Sequence, residues 1–376
     1  MILHNQIGFL YQTALKPILF QLDPEKVHNL FTNIGRLLGT NSLTRSSTKF
    51  LFNYKNKKLE QNILGISFSN PVGLSAGFDK DANLINILDT VGFGFMQVGS
   101  ITNLAYEGNP APRLYRLKKS MGLVVYYGLK NIGVDKIIQK LKKKKKKDFP
   151  LSISIAKTNC KNTSTTEGGI EDYYQCVKKV VEENIGDFYT INISCPNTFG
   201  GEPFTTPEKL EALLQKLTSL NVTKPIFVKM PLELAWNDFD SLLQIVVKYK
   251  LAGVIIANLV KDRNNTLIVD KIPQNIKGGI SGKPTFELSN TKIAKTYVKY
   301  GKKLVIIGVG GIFSAEDAYK KIKLGASLVQ LITGMIFEGP QLIGQINKGL
   351  VELIKKDGFS NISEAIGIDA RNYISK

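Results

Sequence analysis

Residues 188–197 read Phe-Tyr-Thr-Ile-Asn-Ile-Ser-Cys-Pro-Asn, an apolar run that turns abruptly polar. The apolar half predicts a short buried strand, and Pro196 stops that strand because proline has no amide hydrogen to donate. Two side-chain amides and a thiol therefore collect at one strand end. An amide both donates and accepts hydrogen bonds, and an ionised thiol acts as a base or a nucleophile. The stretch predicts either a site for a planar polar ligand beside a proton acceptor, or an ordinary strand end with a buried cysteine.

The same alternation of apolar strand and amphipathic helix recurs throughout the chain after residue 60. We predict eight strands, over residues 71–76, 95–99, 151–155, 188–193, 226–230, 253–257, 304–308 and 328–331. Helical spacing predicts intervening helices over 82–90, 134–141, 173–184, 207–220, 239–249, 288–300 and 315–324, and an eighth after Pro340. Eight apolar strands with eight helices indicate an α/β fold, a (β/α)8 TIM barrel with a parallel sheet. A doubly wound sheet is the alternative, but the glycine fingerprint that it prefers after its first strand is missing.

Residues 1–40 predict a small N-terminal helical extension ahead of the barrel. Its first apolar stripe spans residues 7–18, and its second spans residues 27–38. Asp23 and Pro24 provide the N-cap and first position of the second helix, and Gly39 ends it. We expect residues 41–60 to be a linker and residues 61–376 to form the barrel domain.

The composition fits a large globular chain with a strong positive charge. Its 376 residues are 43% hydrophobic, and the formal net charge is +19. Nucleic acid, an anionic membrane surface or an anionic substrate would each explain such a charge. Much of the excess is one lysine tract, 142–147, without interleaved aromatic residues. We therefore expect a solvated loop there, and no nucleic-acid partner.

The cysteine and histidine content argues against a metal centre. Three cysteines without a CxxC pair, and only two histidines, fit neither a disulfide framework nor a metal site, and suit a reducing compartment. We expect no metal. No apolar run approaches the ~20 residues that cross a bilayer. We also expect no signal peptide, because a basic region followed by an apolar core and a cleavage site is missing.

Polar residues follow the predicted strands at their carboxyl ends, where a barrel carries its active site. They include the segment 75–80, then Ser100, Asn192 and Asn258. Lys229 lies inside the apolar fifth strand. A buried lysine is costly without a partner, so Lys229 predicts either a bound anion or a structural carboxylate.

The last two strands are followed by glycine-rich segments, 308–312 and 333–334. Loops at these two positions form the usual phosphate site of a barrel, and glycine lets backbone amides approach a phosphate. Ser314 and Asp317 predict a helix start directly after the first segment. A phosphate site, a lysine beside developing negative charge and an amide–thiol cluster together fit flavin mononucleotide, FMN.

Together these motifs resemble dihydroorotate dehydrogenase along nearly the whole chain. The matching segments are 75–80, 112–116, 192–198, 228–229, 278–284, 307–312 and 328–330. Segment 20–28 is similar to the membrane-associated extension of the quinone-dependent class 2 enzymes. The resemblance implies oxidation of dihydroorotate to orotate in de novo pyrimidine (UMP) biosynthesis, with electrons passed from FMN to a membrane quinone. It also implies a peripheral enzyme on the cytoplasmic face of the cell membrane, attached to anionic lipid through the N-terminal helices.

The resemblance also assigns roles to individual residues. FMN would contact Ala76, Gly77, Ser100, Asn192, Lys229, Gly282, Gly310, Gly311, Thr333 and Gly334. Dihydroorotate would be held by Lys80, Asn192, Asn197 and Asn258. Cys195 falls at the catalytic base and acts with Lys229 and Lys80, and we expect these two lysines to lower the pKa of its thiol. Quinone would approach near His28 and Arg116.

The chain departs from the class 2 pattern at several positions. Class 2 enzymes usually have serine at the base, whereas Cys195 is typical of the soluble class 1 enzymes. Val125 stands where class 2 has a substrate-binding asparagine, and Lys130 and Asn131 are candidates to replace it. Further replacements are Ser154 for an FMN-contacting asparagine, Ala257 and Leu259 for threonines, and Ile332 for a tyrosine on the quinone side.

Alternatives to the quinone enzyme therefore stay open. The same reaction with fumarate or NAD as acceptor is one of them. An RNA-modifying flavin barrel of the tRNA-dihydrouridine synthase kind would explain the basic charge, but such enzymes carry an RNA-binding domain after the barrel, and only 45 residues follow the last predicted strand here. A non-catalytic barrel that binds a membrane is the third.

Overall fold

The computed structural model of the protein describes residues 2–143 and 149–375, apart from the side chains of residues 2 and 3. Within these ranges the chain forms thirteen strands, numbered β1 to β13 in chain order. They are Gln61–Ile63, Ile66–Phe68, Val72–Leu74, Phe95–Ile101, Leu114–Leu117, Gly122–Val125, Leu151–Ile155, Phe188–Asn192, Ile226–Lys229, Gly253–Ile256, Gly279–Gly282, Val305–Val309 and Leu328–Leu331.

Eight of these strands close into a parallel barrel, in the order β3, β4, β7, β8, β9, β10, β12 and β13, with β13 returning to β3. All eight predicted strands are present, two with the predicted bounds and six with one or both ends displaced by one or two residues. Nearly every residue of these strands is buried, because side chains fill the interior and helices cover the outside. The predicted (β/α)8 barrel is confirmed.

Fourteen α-helices lie in the described part of the chain, numbered α1 to α14. They are Ile2–Leu10, Lys16–Leu19, Pro24–Leu38, Ser42–Phe52, Leu88–Val91, Val134–Lys142, Thr166–Glu182, Pro207–Thr218, Trp236–Lys248, Phe286–Tyr300, Ala315–Lys323, Thr333–Glu338, Leu342–Lys356 and Ala370–Ile374. A π-helical turn over Tyr11–Leu15 joins α1 to α2.

Most predicted helices are present, but the first barrel helix is wrong. Only Leu88–Val91 is helical where the apolar spacing predicts a helix over 82–90. Asp79 accepts hydrogen bonds from the backbone amides of Asn83 and Leu84, and Ala82 has a positive φ of 55°. These tertiary constraints hold the segment in an irregular form despite its helical pattern.

The amino ends of the barrel strands are closed by an apolar plug beneath a short hairpin. Strands β1 and β2 pair antiparallel, and Phe68 of β2 packs edge-on against Phe95 with ring centres 5.4 Å apart. Phe188 and Phe227 complete the aromatic part of this cluster. The hairpin lies at the start of the expected barrel domain 61–376, and the sequence analysis predicted neither of its strands.

The carboxyl ends of the strands are covered by a second sheet and by the N-terminal helices. This sheet is antiparallel, in the order β11, β6, β5. Helix α3 packs on β5, and the Phe20 ring lies edge-on to Phe337 of α12 at 5.1 Å. The predicted start of α3 is confirmed, since Asp23 caps it and Pro24 is its first residue.

The segment 41–60, expected to be a linker, is largely structured. Helix α4 occupies Ser42–Phe52, with Asn41 accepting a hydrogen bond from the Leu43 amide, and a 3-10 turn spans Lys57–Leu59. The polar composition concealed this helix, whose contacts with α5 come only from the tertiary structure.

Two further observations concern the surface of the molecule. Lys142 ends α6 and pairs with Glu183, but most of the lysine tract 142–147 lies outside the described residues, as does its expected loop. Over the described residues, the helices are too short or too polar for a membrane-crossing segment.

Candidate active site

A large cavity opens at the carboxyl ends of the barrel strands. It encloses about 1260 Å³, including the solvent at its mouth, and its walls come from the strand ends, the antiparallel sheet and α3. Fifteen of the residues singled out by sequence lie in its wall: His28, Ala76, Gly77, Lys80, Ser100, Asn192, Cys195, Asn197, Lys229, Asn258, Gly282, Gly310, Gly311, Thr333 and Gly334. Residues far apart in sequence meet here because parallel strands present all their carboxyl ends to one face.

Arg116, which the sequence analysis placed on the quinone side, is the predicted site residue that does not lie in the cavity wall. Its Nη1 donates to the backbone oxygen of Leu22 at 2.7 Å, and its guanidinium lies 4.7 Å from the ring centre of Phe20. Arg116 therefore ties β5 to the N-terminal helices beside the cavity.

An amide network fixes the end of β8. Asn192 donates through Nδ2 to Ser100 Oγ at 2.8 Å, and its Oδ1 accepts from Asn258 Nδ2 at 3.4 Å. Asn258 also donates to the backbone oxygen of Ser194 at 2.7 Å. The hydroxyl oxygen of the buried Ser154 lies 2.7 Å from that of Ser100, so the two serines share a hydrogen bond. The orientation of the Asn192 amide is thereby set before any ligand arrives.

The loop after β8 is attached to the antiparallel sheet. Asn197 donates through Nδ2 to the backbone oxygen of Val125 at 2.8 Å, while the Val125 side chain lines the cavity. Of the two candidates to replace the asparagine lost at 125, Asn131 is buried and bonds to Thr102 and to nearby backbone. Lys130 lines the cavity and is the candidate within reach of a ligand.

The thiol of Cys195 lies in the cavity wall between these amides. Burial raises the pKa of the Cys195 thiol to about 11, while a hydrogen bond from the Asn197 backbone and the charges of Lys229 and Lys157 act to lower it. The expectation that Lys229 and Lys80 bring this pKa below its usual value is wrong, because desolvation of the thiolate outweighs the attraction of Lys229 and Lys157.

The cavity wall is cationic. Lys80, Lys130 and Lys229 line it, and among the described residues that form the wall there is neither aspartate nor glutamate. Lys229 is only 5% exposed inside β9, and burial lowers its pKa to about 8. Asp79, the carboxylate in the loop after β3, does not pair with Lys229 but accepts from the backbone amides of Asn83 and Leu84 at 2.8 Å each. The arrangement favours an anionic ligand.

Two glycines after β12 allow the backbone in the cavity wall to pack closely against α10. Gly310 and Gly311 have φ values of 114° and 70°, and a Cβ on Gly311 would lie 2.6 Å from Cβ of Phe286. Ser314 caps α11 by accepting from the Asp317 amide, as predicted. Gly310 and Gly311 both lie in the cavity wall at the end of β12, where backbone amides can approach a phosphate.

Two observations test whether a large polar cofactor fits the cavity. Gln330 of β13 is fully buried in the cavity wall, and both its Nε2 and its Oε1 lack a hydrogen-bond partner. Such groups normally have partners, so a ligand atom is expected there. A Cβ on Gly77 would meet only Ile332 Cδ1, at 3.9 Å, and so points into open space. The residues present fit a flavin-sized group.

Sequence reasoning passed over several wall residues, above all Gln330, Tyr127 and Thr285. Gln330 could have been found in the same way as Lys229, because each is a polar residue inside an apolar strand. Tyr127 and Thr285 gave no such signal, because tyrosine and threonine are ordinary in strands and turns. In the described part of the chain, no group of three or more His, Cys, Asp or Glu side chains is arranged to hold a metal ion.

Comparison with known proteins identifies relatives along most of the chain. The family described as "Dihydroorotate dehydrogenase" matches residues 58–354. A "Dihydroorotate dehydrogenase (quinone)" of Crocosphaera subtropica is 40% identical over 85% of this chain and 85% of its own length. One of Trichormus variabilis is 36% identical over 96% and 100%, and one of Christiangramia forsetii is 37% identical over 91% and 99%. The crystal structure of Eimeria tenella DHODH in complex with ferulenol superposes with a TM-score of 0.80 at 27% identity, over 93% of this chain and 96% of that one.

Proposed function

This chain belongs to the dihydroorotate dehydrogenase family, and we infer that it oxidises dihydroorotate to orotate in pyrimidine biosynthesis with quinone as the electron acceptor. The observation that carries this function is the composition of the cavity wall. A thiol lies among three asparagines and three lysines, and the described wall has no acidic side chain. That set suits a planar, anionic, amide-containing substrate beside a base.

The family is flavin-dependent, and FMN is the flavin that we propose for this chain. Gly310, Gly311, Thr333 and Gly334 would hold its phosphate, and Gln330 and Lys229 would bind its ring system. When bound, the flavin takes up the hydride that leaves C6 of the substrate. Lys229 has no carboxylate partner among the described residues, so its charge can stabilise negative charge that develops beside it.

The remaining polar residues would bind and orient the substrate. Lys80 would pair with the carboxylate of dihydroorotate, and Asn192, Asn197 and Asn258 would donate to and accept from its amide edges. Because Asn192 and Asn258 are already linked to each other and to Ser100, the site is ordered before the substrate binds.

Cys195 would act as the base. Its thiolate takes the proton from C5 of dihydroorotate, forming the S–H bond as the C–H bond breaks, and that electron pair becomes part of the new C5=C6 double bond. Burial keeps the thiol mostly protonated at neutral pH, so a small thiolate fraction, held by Lys229 and Lys157, supports the reaction.

A turnover assay on dihydroorotate with quinone, fumarate and NAD as separate acceptors tests this function. We expect orotate formation with quinone at a rate well above that with the soluble acceptors. Faster turnover with fumarate or NAD would assign the chain to a soluble acceptor instead. Failure of dihydroorotate to bleach the bound flavin would reject the activity altogether.

We further propose that the N-terminal helices attach the enzyme to an anionic membrane surface. Ten of the nineteen exposed large hydrophobic side chains in the described chain lie between Phe9 and Phe50, although this segment is a small part of the molecule. Exposed apolar side chains on helices that lie at an interface, together with a net charge of +19, favour binding to anionic lipid.

Co-sedimentation with vesicles tests this attachment. We expect binding to phosphatidylglycerol vesicles, and weaker binding to uncharged phosphatidylcholine. The variant Phe9→Ser with Leu37→Ser should release the protein, while Leu267→Ser, an exposed leucine of the barrel, should not. Equal binding by both variants would contradict the proposal.

A further inference from the structure

Two basic side chains meet at the mouth of the cavity. The ammonium of Lys80 lies 3.4 Å from Nε2 of His28 and 3.8 Å from the ring centre of Tyr127. Lys80 belongs to the loop after β3, His28 to α3 of the N-terminal extension, and Tyr127 to the segment after β6. Three separate parts of the chain therefore converge on one ammonium group.

His28 meets Lys80 as a neutral hydrogen-bond acceptor. Burial and the charge of Lys80 lower the pKa of His28 to about 3, so the imidazole is uncharged at neutral pH. The imidazole ring packs edge-on against Phe78, with centres 4.9 Å apart and planes at 88°. This packing fixes the ring, and Nε2 accepts a hydrogen bond from Lys80.

The carboxylates whose charges act on Lys80 form their contacts with other groups. Both oxygens of Asp79 accept backbone amides, and Asp81 accepts from the Ile132 amide at 3.1 Å. Glu25 pairs with Arg113 at 3.5 Å. In the part of the chain that the structure describes, Lys80 forms no ion pair within 4.0 Å, so its charge is not neutralised by direct contact.

We propose that His28 is a positioning residue for Lys80, so that the N-terminal extension completes the binding site for the substrate carboxylate. A neutral acceptor directs the ammonium without consuming its charge, and the Tyr127 ring holds it from another side. The remaining N–H bonds of Lys80 are left for an anionic ligand. The inference rests on the proposed function, because it identifies that ligand as the carboxylate of dihydroorotate or orotate.

The same arrangement explains why the residue is a histidine on this helix. A carboxylate at position 28 would pair with Lys80 and compete with the substrate, and an apolar side chain would leave the ammonium free to turn towards Glu25. Loss of His28 should therefore weaken binding of the substrate carboxylate, even in a step that involves no quinone.

The test uses the flavin-loaded full-length enzyme and measures binding and reduction separately. Orotate affinity is measured by isothermal titration calorimetry, and flavin reduction by dihydroorotate is followed anaerobically with no quinone present. His28→Phe keeps an aromatic ring against Phe78 but removes the acceptor. His28→Gln keeps an acceptor, and Asn29→Ala, exposed on the same helix, is the matched control.

We expect His28→Phe to raise the Kd of orotate about tenfold, the size of a lost hydrogen bond to a charged group. His28→Gln should recover most of this loss, and Asn29→Ala should leave the Kd unchanged. In a Lys80→Met background, adding His28→Phe should cost nothing further, because His28 acts through Lys80.

Orotate binding by His28→Phe at the wild-type Kd would overturn the inference, as would a full additional loss in the Lys80→Met background. If His28→Phe does not fold, His28→Ala, which also removes the acceptor, provides the same comparison in both backgrounds. A wild-type enzyme that neither binds orotate nor is reduced by dihydroorotate would instead reject the proposed function itself.

Discussion

The two ends of the barrel are built from the same eight strands and have opposite characters. At the amino ends, Phe68, Phe95, Phe188 and Phe227 form a dry cluster that the β1–β2 hairpin covers. At the carboxyl ends, amides, lysines and glycines surround an open cavity. The contrast teaches that one end supplies stability and the other supplies chemistry, so that substitutions at each end should have separable effects.

The largest expected effect comes from the reactive end. Cys195→Ala removes the proposed base, and we expect turnover at neutral pH to fall about 10³-fold, within the range of general-base contributions. Bound flavin and the melting temperature should stay unchanged, as spectroscopy and thermal unfolding would show.

Cys160→Ala is the matched control for this change, because Cys160 is only partly exposed and lies outside the cavity wall. It should retain full turnover. Near-native activity of Cys195→Ala would show that another group removes the proton.

The opposite end should respond in stability. Phe95 is fully buried, and its ring lies so close to Gly73 that a Cβ there would be 2.3 Å away. Phe95→Ala should reduce the free energy of unfolding by about 3–5 kcal/mol through the cavity that it leaves. Chemical denaturation measures this loss.

Turnover per folded molecule of Phe95→Ala should remain close to wild type at low temperature. The exposed Phe50→Ala provides the control and should change stability by less than about 0.5 kcal/mol. A specific loss of turnover in Phe95→Ala, with its stability intact, would remove the distinction between the two ends.

The pH dependence sharpens the account of the reactive end. Burial raises the pKa of Cys195 to about 11, so the thiolate fraction, and with it kcat, should rise about tenfold per pH unit from pH 6 upwards. Burial also lowers the pKa values of Lys80 and Lys229 to about 8, so their charges are lost above that pH. The KM for dihydroorotate should therefore rise above pH 8 as Lys80 loses its charge, and the increase in kcat should become shallower there as Lys229 loses its charge.

Initial rates between pH 6 and 9.5, fitted separately for kcat and KM, check this expectation. A kcat that does not change across this range would indicate that proton removal by the thiol does not limit turnover.

The smallest effect concerns Lys130. Lys130 lines the cavity, whereas Asn131 does not. The charge of Lys130 also acts on Lys80 and lowers its pKa. Lys130→Met should raise the KM for dihydroorotate about threefold to tenfold, with kcat little changed, as expected for a second cation near the substrate carboxylate.

The exposed Lys118→Met is the control, since it changes the net charge equally at a site outside the cavity wall. Equal effects of the two substitutions on KM would point to a general effect of charge rather than to contact with the substrate.

Much of the site could be predicted because each of its groups directly follows an apolar strand. Lys229 was evident from a charge inside the run 226–230, and Cys195 from the amides on either side of it. Gln330 carried an equal signal. Tyr127 and the antiparallel sheet beside it could not be located, and Lys130 was suggested only by the family resemblance, because these parts reach the cavity through loops whose paths no local pattern determines.

Hydrophobic periodicity and chain order are local properties, and they were enough to predict the barrel, its eight strands and the polar residues at their ends. The balance between burial and charge at those residues became visible only in the folded molecule. The tertiary structure showed that burial, and not the neighbouring lysines, controls the pKa of Cys195. It also placed His28 of the N-terminal extension 3.4 Å from Lys80, a contact across 52 residues of chain. Desolvation and long-range contacts depend on how the whole chain packs, which no short stretch of sequence contains.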